Sequence, residues 1–153
     1  STVKEELTRL IQGQPEDSSR EEIIRELAFH AMVERGLTDS DAKRAISNDE
    51  RGGAFGHGGN SLTDEAQRWV TDIFEYIAAD NPQAAARTVQ GIYDRAQVLA
   101  TFPEIGHRYQ LSQRNVRILL YGHYRIAYLM KDDGNIDVLG VFHGSLDITR
   151  YQL

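Results

Sequence analysis

Between Gly52 and Asn60 the chain reads GGAFGHGGN, five glycines in nine residues. So few side chains favour a flexible connector over a packed element. The run divides the 153 residues into a lighter piece, 1–51, and a heavier one, 61–153. A chain of this length can bury one core of about 90 to 100 residues and carry an appendage beside it. His57, isolated among the glycines, reads as solvated rather than as a ligand or a base.

In the lighter piece Pro15 separates two amphipathic segments. Val3, Leu7, Leu10 and Ile11 recur at helical spacing in the first, and Ile23, Ile24, Leu27, Ala31 and Met32 in the second. Ser18 and Glu21 have capping-box spacing, which predicts a helix over about 19–35, with Gly36 as its left-handed stop. A third short helix is expected over 39–46. Three thin helices with few large apolar side chains cannot enclose a core, so 1–50 is expected to need a partner surface. Ile23, Ile24, Leu27 and Ala31 are the residues expected to meet it.

The heavier piece has its own order. A helix-start signal at Ser61 to Asp64 leads into Ala66, Trp69, Val70, Ile73, Phe74 and Ile77, and Asn81-Pro82 opens a second helix whose inward residues include Ala85, Ile92, Ala96 and Leu99. The short connector makes an antiparallel hairpin. Trp69 and Tyr93 lie on apolar stripes and read as core rather than as platforms for bases. After Gly106 the period changes from 3.6 to 2, giving strands at 115–121, 124–131 and 136–142, with turns at Gly122-His123 and Asp133-Gly134. The expected fold is α+β: a helical hairpin packed on an antiparallel β-meander, preceded by a helical arm.

Turn positions fix the register. A tight Gly122-His123 turn pairs Tyr121 with Tyr124 and Arg117 with Tyr128; the Asp133-Gly134 turn pairs Tyr128 with Leu139 and Tyr124 with His143. One face then carries Arg117, Tyr121, Tyr124, Tyr128 and His143 and reads as half-exposed and binding. The other carries Val116, Ile118, Leu120, Ala127, Leu129, Val138 and Phe142 and reads as core, with Arg125 turned toward it near an edge. Cleaving an RNA phosphodiester needs a base, an acid and a cation, which His143, Tyr128 and Arg117 are the candidates to supply. Arg117, Tyr124 and Arg125 are also candidates for binding a partner.

Charge bears on partners. The net charge is −6, with 8 basic against 12 acidic residues in 1–61 and 9 against 11 in 62–153. Yet 105–131 holds Arg108, Arg114, Arg117, Arg125 and Lys131 and no acidic residue, which suggests a positive surface on the strands covered by an acidic arm. The chain has no cysteine, so disulfides, thiolate zinc sites and cysteine nucleophiles are excluded. No cofactor or metal is expected. The lack of a membrane-length apolar run or a charged-then-apolar leader makes the cytoplasm the expected location.

The segments TDEAQRWVTDIFEYIAADNPQAAA, LATFPEIGHR, NVRILLYGHYRIAY and VLGVFHGSLDITRYQL together resemble the RelE/ParE toxin superfamily over about 62–153. Residues 5–50 resemble the small antitoxins encoded beside such toxins. The resemblance implies growth inhibition, either by cutting mRNA on the ribosome or by poisoning DNA gyrase. HGSLD stands where many relatives have arginines after His-Gly, which favours a ParE-like gyrase inhibitor neutralised by its linked segment; a RelE-like endoribonuclease and an inactive fusion remain alternatives. A homodimer, with the arm exchanged between copies, is a further expectation. Family toxins open with a β-strand; here the connector stands in its place, so that strand is expected to be lost or poorly replaced around Ala54-Phe55.

Overall fold

The computed structural model describes residues 2–47 and 60–144; the connector apart from Asn60, including His57 and Ala54-Phe55, lies outside them. The elements are α1 (Val3–Gln12), α2 (Arg20–Asp41), β1 (Ala45–Ser47), β2 (Asn60–Thr63), α3 (Asp64–Ala78), α4 (Pro82–Thr101), β3 (His107–Arg108), β4 (Val116–Tyr121), β5 (Tyr124–Met130) and β6 (Ile136–His143). The expected α+β architecture is present. Among the described residues no helix is long and apolar enough to cross a membrane.

Six strands form one sheet in the order β1-β2-β6-β5-β4-β3. All neighbours are antiparallel except β2 and β6, a parallel pair joined by a long connection through the α3–α4 hairpin and then β3, β4 and β5. The strand expected to be missing is therefore β2, formed by the residues just before α3. They pair because Leu62 is apolar and Thr63 ends the strand while starting the helix. The Thr63 hydroxyl accepts from Ala66 N at 3.1 Å and lies 3.0 Å from the Val138 carbonyl on β6, to which it donates. Such a cap stabilises a helix by about 1 kcal/mol.

The sheet is covered on both sides. The α3–α4 hairpin packs Ala66, Ile73, Ile92 and Leu99 onto Leu119, Tyr124, Ile126, Tyr128 and Val141. On the opposite face α2 packs Phe29, Met32, Val33 and Leu37 onto Val116, Ile118, Ala127, Leu129 and Phe142. The face read as half-exposed is thus closed at its centre, where Tyr128 and Ile126 are fully buried, while Arg117, Tyr121 and His143 are half-buried. The reason is the amphipathic α3, whose stripe needs a whole sheet face. Leu120, expected in the core, is 56% exposed; β3 pairs only with Ile118 and Arg117 and stops short of it. Val138 belongs to the α3–α4 side rather than to the core it was assigned to.

The first hairpin register holds, with Tyr121 opposite Tyr124 and Arg117 opposite Tyr128. In the second, Tyr124 faces His143, but Tyr128 faces Val138 rather than Leu139, because a bulge lies between Ala127 and Tyr128. Leu139 packs in the α2-side core, and a Cβ on Gly140 would strike Met32 of α2. The bulge turns two successive residues toward one layer.

The arm differs most from expectation. The capping box is one residue later, Ser19 with Glu22: Glu22 N donates to Ser19 Oγ at 3.1 Å and Ser19 N to Glu22 Oε1 at 2.9 Å. Gly36 does not stop α2, which continues to Asp41. A Cβ there would clash with the backbone of Leu139, so the glycine serves close approach of helix to strand. Over 39–46 no separate helix forms. The chain turns at Lys43, with φ 59°, and enters β1, which pairs Ala45 with Thr63 and Ser47 with Ser61.

Candidate functional site

The surface that carries the most chemistry is the contact between α2 and the sheet. Its apolar centre is Phe29, edge-on to Tyr109 at 5.3 Å and to Phe142 at 5.5 Å between ring centroids. Arg125 stands over Phe29, with 4.2 Å from guanidinium carbon to centroid, and both its terminal nitrogens bond the Glu26 carboxylate at 3.0 Å. A bidentate pair stacked on an aromatic ring fixes direction as well as charge.

A second pair lies at the far end of α2, where Arg114 reaches both oxygens of Asp41 at 2.9 and 3.2 Å. This bond holds the Asp41 pKa below its ordinary value. Of the five basic residues in 105–131, these two face acidic residues of the arm. Lys131 lies 3.5 Å from Asp137 of its own sheet. Asp137 in turn accepts from Ser40 of α2 at 2.5 Å.

The arm also engages the helical hairpin. Asp39 accepts the backbone N–H of Glu65, in the first turn of α3, at 2.8 Å, where a carboxylate is favoured by the helix dipole. Glu65, 2% exposed, accepts from Arg35 Nε at 3.0 Å, Arg68 at 2.5 Å and Trp69 Nε1 at 2.8 Å. A buried carboxylate with three donors is fully committed.

These contacts involve a segment of recognisable ancestry. A family model described as the ParE toxin of type II toxin-antitoxin system, parDE, matches residues 61–148. The chain belongs to the ParE toxin family. No curated protein is similar enough to the chain to count as a match. ParE toxins act in type II toxin-antitoxin systems and partner with antitoxins, so this chain carries a toxin of that class. The matched segment starts within β2; α1, α2 and β1 precede it.

Within the ParE segment the expected catalytic trio is divided. Tyr128 donates from its hydroxyl to the Pro103 carbonyl at 2.7 Å and accepts from Gly106 N at 3.0 Å. Burial raises its pKa. Arg117 donates to the carbonyls of Gly106 and Glu104 at 2.8 and 3.3 Å. Both side chains therefore fasten the connection from α4 to β3. A Cβ on Gly106 would strike the Tyr128 ring.

His143 is elsewhere. It pairs with Tyr124, four residues from Tyr128 along β5, a separation of about 13 Å. Its ring meets Tyr124 edge-on at 4.7 Å and Tyr76 at 6.4 Å, and burial lowers its pKa. Tyr124 is buried beneath the hairpin, on the side away from α2. Among the residues expected to bind a partner, Arg125 alone faces the arm.

Ile23, Ile24, Leu27 and Ala31 are half-buried. At roughly 100° per residue they lie about half a turn around α2 from Phe29, Met32, Val33 and Gly36. The residues that sequence reading missed are thus Phe29, Val33 and Leu37, four apart, with Glu26, Asp39 and Asp41. The four-residue step was the available signal, masked because α2 has apolar residues on two sides.

Proposed function

We propose that residues 1–51 act as a linked antitoxin segment, 52–60 as the connector, and 61–153 as a ParE-type toxin directed at DNA gyrase. The observation that carries this reading is the burial of Phe29, Met32, Val33 and Leu37 against the strands, locked by Glu26 on Arg125. A helix from outside the family segment closes a face of the toxin domain, as a neutralising partner would. A glycine-rich chain of nine residues, were it a random coil, would span roughly 15 to 18 Å and give a local concentration near millimolar, which favours an arm seated on its own domain. Exchange of arms in a dimer is the alternative arrangement.

Two features speak for gyrase over RNA as the target. HGSLD, residues 143–147, lacks arginines after His-Gly. A base must reach the proton it abstracts within about 3 Å, while Arg117 and Tyr128 are engaged away from His143.

The test is expression of 61–153 with and without 1–51 supplied in trans. The expected result is growth arrest and inhibited supercoiling by the fragment, relieved by the arm. Cuts in ribosome-bound mRNA would replace the gyrase reading with the ribonuclease one. Growth arrest by the full chain, or no effect from the fragment in either assay, would overturn the proposal.

A further inference from the structure

The two helices of the arm bring together three donors that the toxin reading does not use. Glu6 on α1 and His30 and Glu34 on α2 each offer one ligand atom, and these atoms lie within 4.8 Å of one another. Four residues apart on one helix, His30 and Glu34 share a face, and α1 sets Glu6 beside them.

His30 is the fixed member. It is 4% exposed, and its Nδ1 lies 2.9 Å from the Tyr109 hydroxyl. A ring held through one nitrogen presents the other in a set direction, which is how second-layer partners orient histidine ligands. Glu6 is half-buried and Glu34 exposed, so both carboxylates can swing by a rotamer. Although its surface is open, neighbouring groups partly desolvate Glu34 and raise its pKa; the His30 charge opposes the rise and the Glu6 charge adds to it. Beside them opens a cavity of about 320 Å³ lined by residues that include Glu6, Glu34, Thr38 and Ser112. Arg9 and Arg114 also line it; the Arg114 charge is met by Asp41 at 2.9 Å.

We propose that Glu6, His30 and Glu34 form a site for a zinc-type divalent cation that fastens α1 to α2. One imidazole nitrogen and two carboxylate oxygens suit a borderline cation with three protein ligands and water completing the shell. Magnesium, which prefers oxygen donors and keeps most of its waters, is poorly served. The donors, within 4.8 Å of one another, must settle at the spacing set by bonds of about 2.0 to 2.2 Å, and the two glutamates supply that movement. All three ligands lie on the arm, with Tyr109 of the ParE segment holding His30, and the site is independent of the toxin's target.

The test uses the full chain, stripped with chelator and titrated with zinc chloride or magnesium chloride by calorimetry, with hydrogen exchange read over Val3–Gln12. Zinc is expected to bind one per chain and slow exchange in α1; magnesium is expected to do neither. Glu34→Gln keeps length and exposure and should weaken zinc binding at least about tenfold, and Tyr109→Phe, which leaves every ligand in place, about tenfold. Glu6→Gln should abolish the slowing of α1. The proposal is overturned by an unmodified chain that takes no zinc, or by Glu34→Gln and Glu6→Gln chains that bind it as tightly as the unmodified one.

Discussion

Arg125 on β5 and Glu26 on α2 meet through two parallel hydrogen bonds of 3.0 Å, across 99 residues of sequence and at the boundary between the arm and the ParE segment. Both side chains are mostly buried, at 24% and 33% exposure. A double-mutant cycle of Glu26→Gln and Arg125→Met, followed by urea unfolding, should give a coupling energy of about 1 kcal/mol or somewhat more. Additive single effects would mean that the pair contributes nothing.

Gly36→Ala tests how closely α2 approaches the sheet. In an open helix the change stabilises by up to about 1 kcal/mol. Here the new methyl meets the Leu139 backbone, and the substitution should instead destabilise by about 1 to 3 kcal/mol. A rise in the urea midpoint would show that helix and strand are farther apart than described.

Phe29→Ala removes the ring at the centre of the α2 face. The expected loss is about 3 to 5 kcal/mol, and it should fall unevenly. Hydrogen exchange should accelerate over α2 and the amides of β1 more than over Ile73 and Ile92, which belong to the other core. Uniform acceleration would mean that the two layers unfold as one.

Tyr128→Phe separates fastening from chemistry. Losing the hydroxyl leaves the Gly106 N–H and the Pro103 carbonyl without their partner, at a cost of about 1 to 3 kcal/mol. A calorimetric melt should record it. An unchanged melting temperature would reopen a chemical role for the hydroxyl.

His143 gives a pH dependence. Burial lowers its pKa below the ordinary 6.5, so the folded chain binds fewer protons there than the unfolded one. The stability this group contributes is therefore full above 6.5 and is lost as pH falls from 6.5 through the folded value. An NMR titration should place the His143 midpoint below the ordinary 6.5, and His143→Gln should flatten the stability profile in that window. A midpoint above 6.5 would refute it.

Much of this architecture was legible in residue order. The helical hairpin followed from the stripe Ala66, Val70 and Ile73, and the β4–β5 register from the length of the Gly122-His123 turn, because both signals are local. Which sheet face would be open was not legible. That depended on α2 supplying a second cover, and α2 has apolar residues on both sides, so the Ile23-Leu27-Ala31 row looked as good as Phe29-Val33-Leu37. The bulge opposite Ala127 had a single sign, Gly140 inside the strand, which marks a bulge as readily as a close packing contact, and so Leu139 was misregistered. Gly36 misled for a related reason: a glycine that ends a helix and one that lets a strand come near are the same letter. The dispersal of Arg117, Tyr128 and His143 could not be seen either, since sharing a face says nothing about distance along it.

The strand β1 lies at the outer edge of the sheet, and the chain between residues 47 and 60 ties it covalently to β2. A protease that cut between them would sever the polypeptide without freeing either half, because the ladder of β1 on β2, the face of α2 and both arginine pairs would still hold. Scission and dissociation are thus separate events in this molecule. If the N-terminal segment neutralises the toxin as proposed, destruction of that cover would wake it, and a nick in the tether would leave it asleep.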